Sequence, residues 1–246
     1  MASSTRRNII KRLQSAFPRG VPFDSQALAE IGVYPELAHH YLKSGWLSRL
    51  GRGMFMFPND TLRQEACLKF LSVRMPGLHV GGKTALAWRG IRHNLPAHEP
   101  LSLWGRSGRL PTWFRELFPS RFTMRNPFST RLPKDFALQP LPETPDGILV
   151  SEPERALLEM LSEVGGKQGI EEARNILEAA RALRPEVLTM LLRHCRRIKV
   201  IRLCVQWAEE LDMPWAAAAK KATESNRGKS RWVSRLRGGK VLILKP

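Results

Sequence analysis

The sequence predicts an α+β protein: an N-terminal winged helix-turn-helix, then a larger mixed α/β C-terminal domain with a helical end. Three observations predict it. Residues 43–58 read as a strand, a glycine turn flanked by arginines, and a second strand. Three short helical patterns precede that ribbon, with a tight glycine-containing turn between the second and third. Beyond residue 76, short apolar pieces split by Pro and Gly give way to sustained helical periodicity.

Each element has its own justification. Over 4–17, Ile9, Ile10, Leu13 and Phe17 recur at helical spacing, and Pro18, Gly20 and Pro22 stop the helix. Asp24 or Ser25 can cap the next helix, which carries Leu28 and Ile31. Gly32 ends it, and Val33 is the apolar plug of a tight turn. Pro35 suits the first position of a third helix running to about Ser44. In the ribbon, Gly51 and Gly53 are expected at positive φ. Trp46, Leu47, Leu50, Phe55 and Phe57 are expected to anchor it to a core. A helix over 61–74 is expected to bury Leu62, Ala66, Phe70 and Val73. A further helix falls near 83–90, and strands of a small sheet fall at 101–104, 121–125 and 136–141, with a helix over 111–118. Helices follow at 153–163, 168–183, 185–196 and 198–211. The chain is thereby divided into 1–75, 76–219 and a basic segment, 220–246, read as a hairpin.

Composition bounds the function. Forty Lys and Arg face 22 Asp and Glu, a formal charge of +18, which favours a polyanionic partner. With 43% hydrophobic residues the 246-residue chain can bury a real core. Neither a long apolar run nor a signal-peptide pattern occurs, so no membrane partner is expected. Cys67, Cys195 and Cys204 have no metal-knuckle spacing. They read as buried or neutral thiols of a reducing, cytoplasmic compartment.

The candidate site residues are polar or cationic. Arg49 and Arg52 place forked charges on the ribbon, suited to phosphate or to a narrow minor groove. On the third helix Tyr34, His39, His40 and Lys43 are candidates for the major groove, with Leu37, Tyr41 and Leu42 holding the helix down. Arg6, Arg7 and Lys11 add candidate backbone contacts. The C-terminal stretch carries nine Lys and Arg against Glu224, and its Lys229, Arg231, Arg235 and Arg237 form a second basic ribbon. That ribbon echoes residues 43–53 at one constant offset. Gly77-Leu-His-Val-Gly-Gly-Lys-Thr84 matches the phosphate-loop string but lacks the strand before it and a later Asp-ended strand. It is read as a glycine turn and helix start. No hydrolase, nuclease or metal signature is present, so no enzyme activity, cofactor or metal is expected. The acids at 152, 154, 159, 163, 171, 172 and 178 read as helix-surface charges and as a candidate protein-binding face.

Leu28 through the ribbon, Thr84-Ala-Leu-Ala-Trp-Arg-Gly90 and Ser151-Glu-Pro-Glu-Arg-Ala-Leu-Leu-Glu-Met160 together resemble the AbiEi antitoxin family of bacterial AbiE-type toxin–antitoxin systems. The resemblance implies a winged helix that represses its own operon by binding inverted repeats, two copies pairing on DNA even if the free chain is monomeric. It also implies a C-terminal domain that counters a nucleotidyltransferase-like toxin, and Arg49 and Arg52 carry over as wing contacts. The alternative is a stand-alone winged-helix transcription factor whose C-terminal domain senses a ligand or another protein.

Overall fold

A computed structural model describes residues 2–92, 99–228, 232–235 and 241–244. The elements run α1 (Ala2–Ala16), β1 (Phe23–Asp24), α2 (Ser25–Glu30), α3 (Pro35–Lys43), β2 (Ser48–Gly51), β3 (Met54–Met56), α4 (Gln64–Arg74), β4 (His79–Val80) and α5 (Gly82–Trp88). There follow β5 (Leu101–Trp104), α6 (Thr112–Leu117), β6 (Ser120–Thr123), β7 (Leu138–Gln139), β8 (Val150–Ser151) and α7 (Pro153–Glu163). The chain closes with α8 (Ile170–Ala179), α9 (Pro185–Arg193), α10 (Ile198–Glu210), α11 (Ala216–Ala222), β9 (Trp232–Arg235) and β10 (Val241–Leu244). The class is α+β. Two compact units form, one from 1–74 with 109–119, the other from 75–108 with 120–246.

In the first unit, β1, β3 and β2 form a small antiparallel sheet in that order. Its core gathers Leu13, Phe23, Leu28, Val33, Tyr41, Leu47, Phe55 and Phe57 from the helices and the sheet. Phe23 stacks on Phe17 at 4.3 Å and tilts against Phe57 at 5.4 Å. Asp24 caps α2 by accepting from the Ala27 amide at 2.8 Å. Gly32 takes φ +84, and Val33 behind it is fully buried. The buried face of α4 differs from the expected one. Cys67, Leu68 and Leu71 point inward, while Ala66 is half-buried and Val73 is 76% exposed. The sequence offers two competing apolar stripes here. Phe70 stays half-buried because the Arg74 guanidinium covers its ring at 3.6 Å. The helix α6 lays Trp113 against the ribbon, where a Cβ on Gly51 would stand 3.4 Å from its ring.

The second unit is built on a five-stranded sheet, β6-β5-β4-β8-β7. The pairs β5–β6 and β4–β8 are parallel, and β4–β5 and β7–β8 antiparallel. Against it α7 is buried at every residue from 154 to 162. The expectation of surface acids therefore fails for Glu154 and Glu159, each 1% exposed. Glu159 has the i,i+4 spacing to Arg155 of an exposed helix pair, but both acids also take partners from distant elements. Glu159 accepts from Arg155 Nε at 2.9 Å, the Ser151 hydroxyl at 2.8 Å and the Gly82 amide at 3.1 Å. His79 Nε2 lies 3.1 Å from the same carboxylate. Burial alone would raise the Glu159 carboxyl; His79, Arg155 and Ser151 outweigh it and hold it down at about 2. Glu154 meanwhile takes the backbone amide and guanidinium of Arg184 at 2.8–3.0 Å, fastening the residue that precedes α9.

The phosphate-loop look-alike dissolves into the same packing. Gly81 lets the chain pass between Glu159 and Trp104, since a Cβ there would collide with the carboxylate and come 2.6 Å from the indole. Lys83 pairs with Glu99 and with Glu172, the latter at 2.6 Å, and Thr84 accepts from the Ser102 amide at 2.8 Å. Arg89 donates to the carbonyls of Gln139, Val150 and Ser151 at 2.8–3.1 Å. At the C-terminal end, β9 and β10 pair antiparallel, as a hairpin reading requires. Arg202, 2% exposed, donates to the carbonyls of Arg227 and Leu244 and so ties the pair to α10. The helix α11, over the alanine run at 216–219, precedes it and was not expected. The three cysteines are free and buried. Burial pushes the Cys67 thiol up to about 12 and Cys195 up to about 11.

Glu159→Gln leaves Arg155 and His79 facing a neutral amide and should lower unfolding free energy by about 3–5 kcal/mol. The pH test follows from the sign of the shift. Because the folded carboxyl is depressed, its contribution is complete above the ordinary value of 4.5 and is lost as pH falls toward about 2. Urea unfolding between pH 7 and pH 3 should therefore show a shallower acid loss in the variant. Gly81→Ala should destabilise by at least the ~1–3 kcal/mol of an overpacked core, read in the same assay.

Candidate nucleic-acid interface

The outward face of α3 follows from how its inward face is held. Tyr41 is 2% exposed and Leu37 and Leu42 are half-buried, so their neighbours at the alternate helical positions face solvent. Tyr34, which stands at the N-cap, is 61% exposed, and Glu36, His39, His40 and Lys43 are all exposed. The ribbon is pinned to the end of this helix. The amides of Trp46 and Leu47 both donate to the Tyr41 carbonyl, at 2.9 and 3.2 Å. Arg49 on β2 and Arg52 in the turn are exposed, with no ion-pair partner among the described residues. Three exposed cations, Lys43, Arg49 and Arg52, thus sit on consecutive elements with Glu36 as the single exposed acid of those elements.

Two details of the ribbon differ from expectation. Of the two glycines expected at positive φ, only Gly53 takes the left-handed conformation, at φ +68; Gly51 lies in the strand at a bulge in the β2–β3 register. The bulge absorbs the extra residue, so one positive φ closes the turn. Trp46 is 41% exposed and does not anchor the ribbon; Leu47, Phe55 and Phe57 do, each at most 6% exposed. The turn end of the ribbon is fixed as well. The Ser25 amide donates to the Gly53 carbonyl at 3.0 Å, and Asp24 beside it pairs with Arg74, whose Nε lies 2.9 Å away. Burial would raise the Asp24 carboxyl, but the Ala27 amide and Arg74 hold it below its usual value. That support is present at neutral pH and fades only in acid.

The remaining expected residues are less closely gathered. Lys11 is exposed on α1, whose backbone also carries Arg6 and Arg7. Arg235 lies in β9 of the second unit, and Lys229, Arg231 and Arg237 fall outside the described residues. Among the described residues, no cluster of three or more His, Cys, Asp or Glu could hold a metal, and no helix is long and apolar enough to cross a membrane. Sequence reasoning also passed over a group of arginines at 125, 131, 193 and 196. Its signal was the absence of any acid over 120–134 and 193–199.

Comparison with known proteins places this architecture. Residues 6–97 match the family model described as the AbiEi antitoxin N-terminal domain of a transcriptional regulator. Residues 98–242 match that of a transcriptional regulator, the AbiEi antitoxin of a type IV toxin–antitoxin system. The fold is similar to the crystal structure of the RV2827C protein from Mycobacterium tuberculosis, with a TM-score of 0.56 and 18% identity over 87% of this chain and 78% of that one. No curated protein matches the chain.

The turn provides its own test. Gly53→Ala forces a Cβ into the left-handed region and should cost about 1–2 kcal/mol. Gly51→Ala, outside that region and in ordinary contact with Trp113, should change stability by less. Thermal unfolding of the two variants side by side separates them.

Proposed function

This chain belongs to the AbiEi family of antitoxin transcriptional regulators, and we propose that it is the DNA-binding autorepressor and antitoxin of a bacterial toxin–antitoxin operon. In this reading the first unit is a winged helix-turn-helix. The observation that carries it is the exposed basic face formed by α3 and the ribbon attached to its end. Lys43, Arg49 and Arg52 neutralise phosphates, and the arginine at the turn suits a minor groove. Tyr34, His39 and His40 face the major groove, where their rings and nitrogens reach base edges or flanking phosphates. Arg6, Arg7 and Lys11 add backbone contacts. Two copies on an inverted repeat match the two-fold symmetry such a site imposes, whatever the state of the free chain. The second unit counters the partner toxin, whose expected class is a nucleotidyltransferase.

A second reading keeps the winged helix and gives the second unit a sensing role. It is favoured by a cavity of about 190 Å³ in that unit, walled by Trp104, Phe128 and Leu138 and reaching Arg155. Growth rescue on co-expression with a neighbouring nucleotidyltransferase-like gene decides for the antitoxin. Absence of such a gene decides for the sensor.

Replacing Arg49 and Arg52 by Ala should weaken operator binding strongly and leave unfolding unchanged, since both side chains are exposed. In a salt titration the log–log slope should become shallower by about 0.9 for each phosphate no longer neutralised. Normal operator binding by the double variant at physiological salt would exclude the ribbon as a DNA-binding element.

A further inference from the structure

We propose that the cavity in the second unit is a binding site for a small aromatic carboxylate, one ring bearing an acidic group. It rests on the sensing reading, in which this cavity receives a ligand, and names that ligand's class. Size sets the first limit. An apolar cavity of about 150 Å³ takes up one benzene ring. A volume of about 190 Å³ therefore admits one ring with a small substituent, and a nucleotide is too large for it. Trp104, Phe128, Leu132 and Leu138 supply the walls, each at most 7% exposed. Aromatic and aliphatic walls of this kind favour a planar apolar body.

The polar lining sets the second limit, because its donors are spare and its acceptors are engaged. Arg155, 4% exposed, lines the cavity with its guanidinium carbon 5.3 Å from the centre of the Phe128 ring. Its Nε donates to Glu159 at 2.9 Å and its Nη1 to the Phe136 carbonyl at 2.7 Å. Its Nη2 makes no hydrogen bond among the described residues. At the mouth, the Asn126 side-chain oxygen accepts from the Phe128 amide at 3.1 Å, which leaves the Asn126 N–H groups to donate. Lys134, also at the mouth, is exposed and has no ion pair among the described residues. The lining acids are already met. Glu159 holds four donors, and Asp135 faces Arg106 at 3.9 Å. Both ring nitrogens of His79 are occupied, one by the Gly77 carbonyl at 2.8 Å and the other by Glu159, so neither is free to receive a ligand. Leaving His79 aside, Arg106, Lys134 and Arg155 face Asp135 and Glu159, an excess of one positive charge. A buried guanidinium nitrogen without an acceptor is matched by a carboxylate oxygen, and such charge-assisted bonds strengthen away from bulk water. A cation or a plain hydrocarbon would leave that donor unmet.

The test titrates the full chain by calorimetry with three probes: benzoate, benzamide and acetate. Benzoate should bind at one site per chain, at least about ten-fold more tightly than either of the others, since benzamide lacks the charge and acetate the ring. Arg155→Lys keeps a cation beside Glu159 but removes Nη2, and should erase the preference for benzoate over benzamide. Leu138→Phe fills the cavity and should abolish measurable binding of benzoate. Lys134→Gln lies at the exposed mouth, clear of the buried network, and should weaken benzoate by about two- to five-fold while leaving benzamide unchanged. Circular dichroism checks that each variant folds. Equal affinity for benzoate and benzamide, or no binding of benzoate, overturns the proposal. So does benzoate binding that the folded Leu138→Phe and Lys134→Gln variants leave unchanged. Operator affinity with and without saturating benzoate reads the sensing role separately. Binding in the calorimeter with unchanged operator affinity keeps the ligand assignment and overturns the sensing role.

Discussion

A single carboxylate organises the second unit. Glu159 is buried on α7 and meets a strand through His79, a helix start through the Gly82 amide, a second strand through Ser151 and its own helix through Arg155. Burying a charge is costly, and the cost is offset only when donors satisfy each lone pair. Four groups from four elements do so here. The carboxylate thereby fixes the meeting of α5, α7, β4 and β8, and the rest of the sheet extends from the strands so placed. Arg89 and Arg184 extend the same device outward, one stitching strand carbonyls, the other fastening α9 to Glu154.

Much of this was legible in the sequence at the level of elements. Asp24 as a cap, Val33 as a plug and Pro35 as a helix start are local chemistry, and they stand in the structure as read. What failed depended on partners far away in the chain. Glu154 and Glu159 look like surface acids because charged helix spacing does not reveal whether Arg184 or His79 will arrive to meet them. The face of α4 was misread for a related reason: two apolar stripes compete, and only packing chooses between Cys67 and Ala66. Trp46 looked like an anchor by composition, yet the ribbon is already fixed by Leu47 and Phe55. Of the candidate site, the exposed face of α3 and the ribbon arginines were visible. The grouping of the arginines at 125, 131, 193 and 196 was not, since 125–131 and 193–196 meet only through the Phe128–Cys195 bridge and the bonds beside it.

Two of the three stretches behind the family resemblance acquire a physical meaning. Thr84–Gly90 and Ser151–Met160 lie far apart in the chain but pack against each other as α5 and α7. Thr84 holds β5, Arg89 holds β7 and β8, and Ser151, Arg155 and Glu159 form the buried network. They describe a scaffold rather than a reactive centre. The resemblance therefore identified the fold of the second unit more directly than its action.

The first unit is assembled from two separated pieces of chain, since residues 109–119 join 1–74. The consequence lies in the order of synthesis. At roughly 5–20 residues per second, α6 emerges some seconds after α4. Until then the ribbon lacks the indole of Trp113 beside Gly51, and the strands β4 and β5 are made first. A nascent chain thus holds helices α1 to α3 and the bare ribbon before the cover for it exists. A fragment cut at residue 75 would preserve that unfinished intermediate rather than the mature unit.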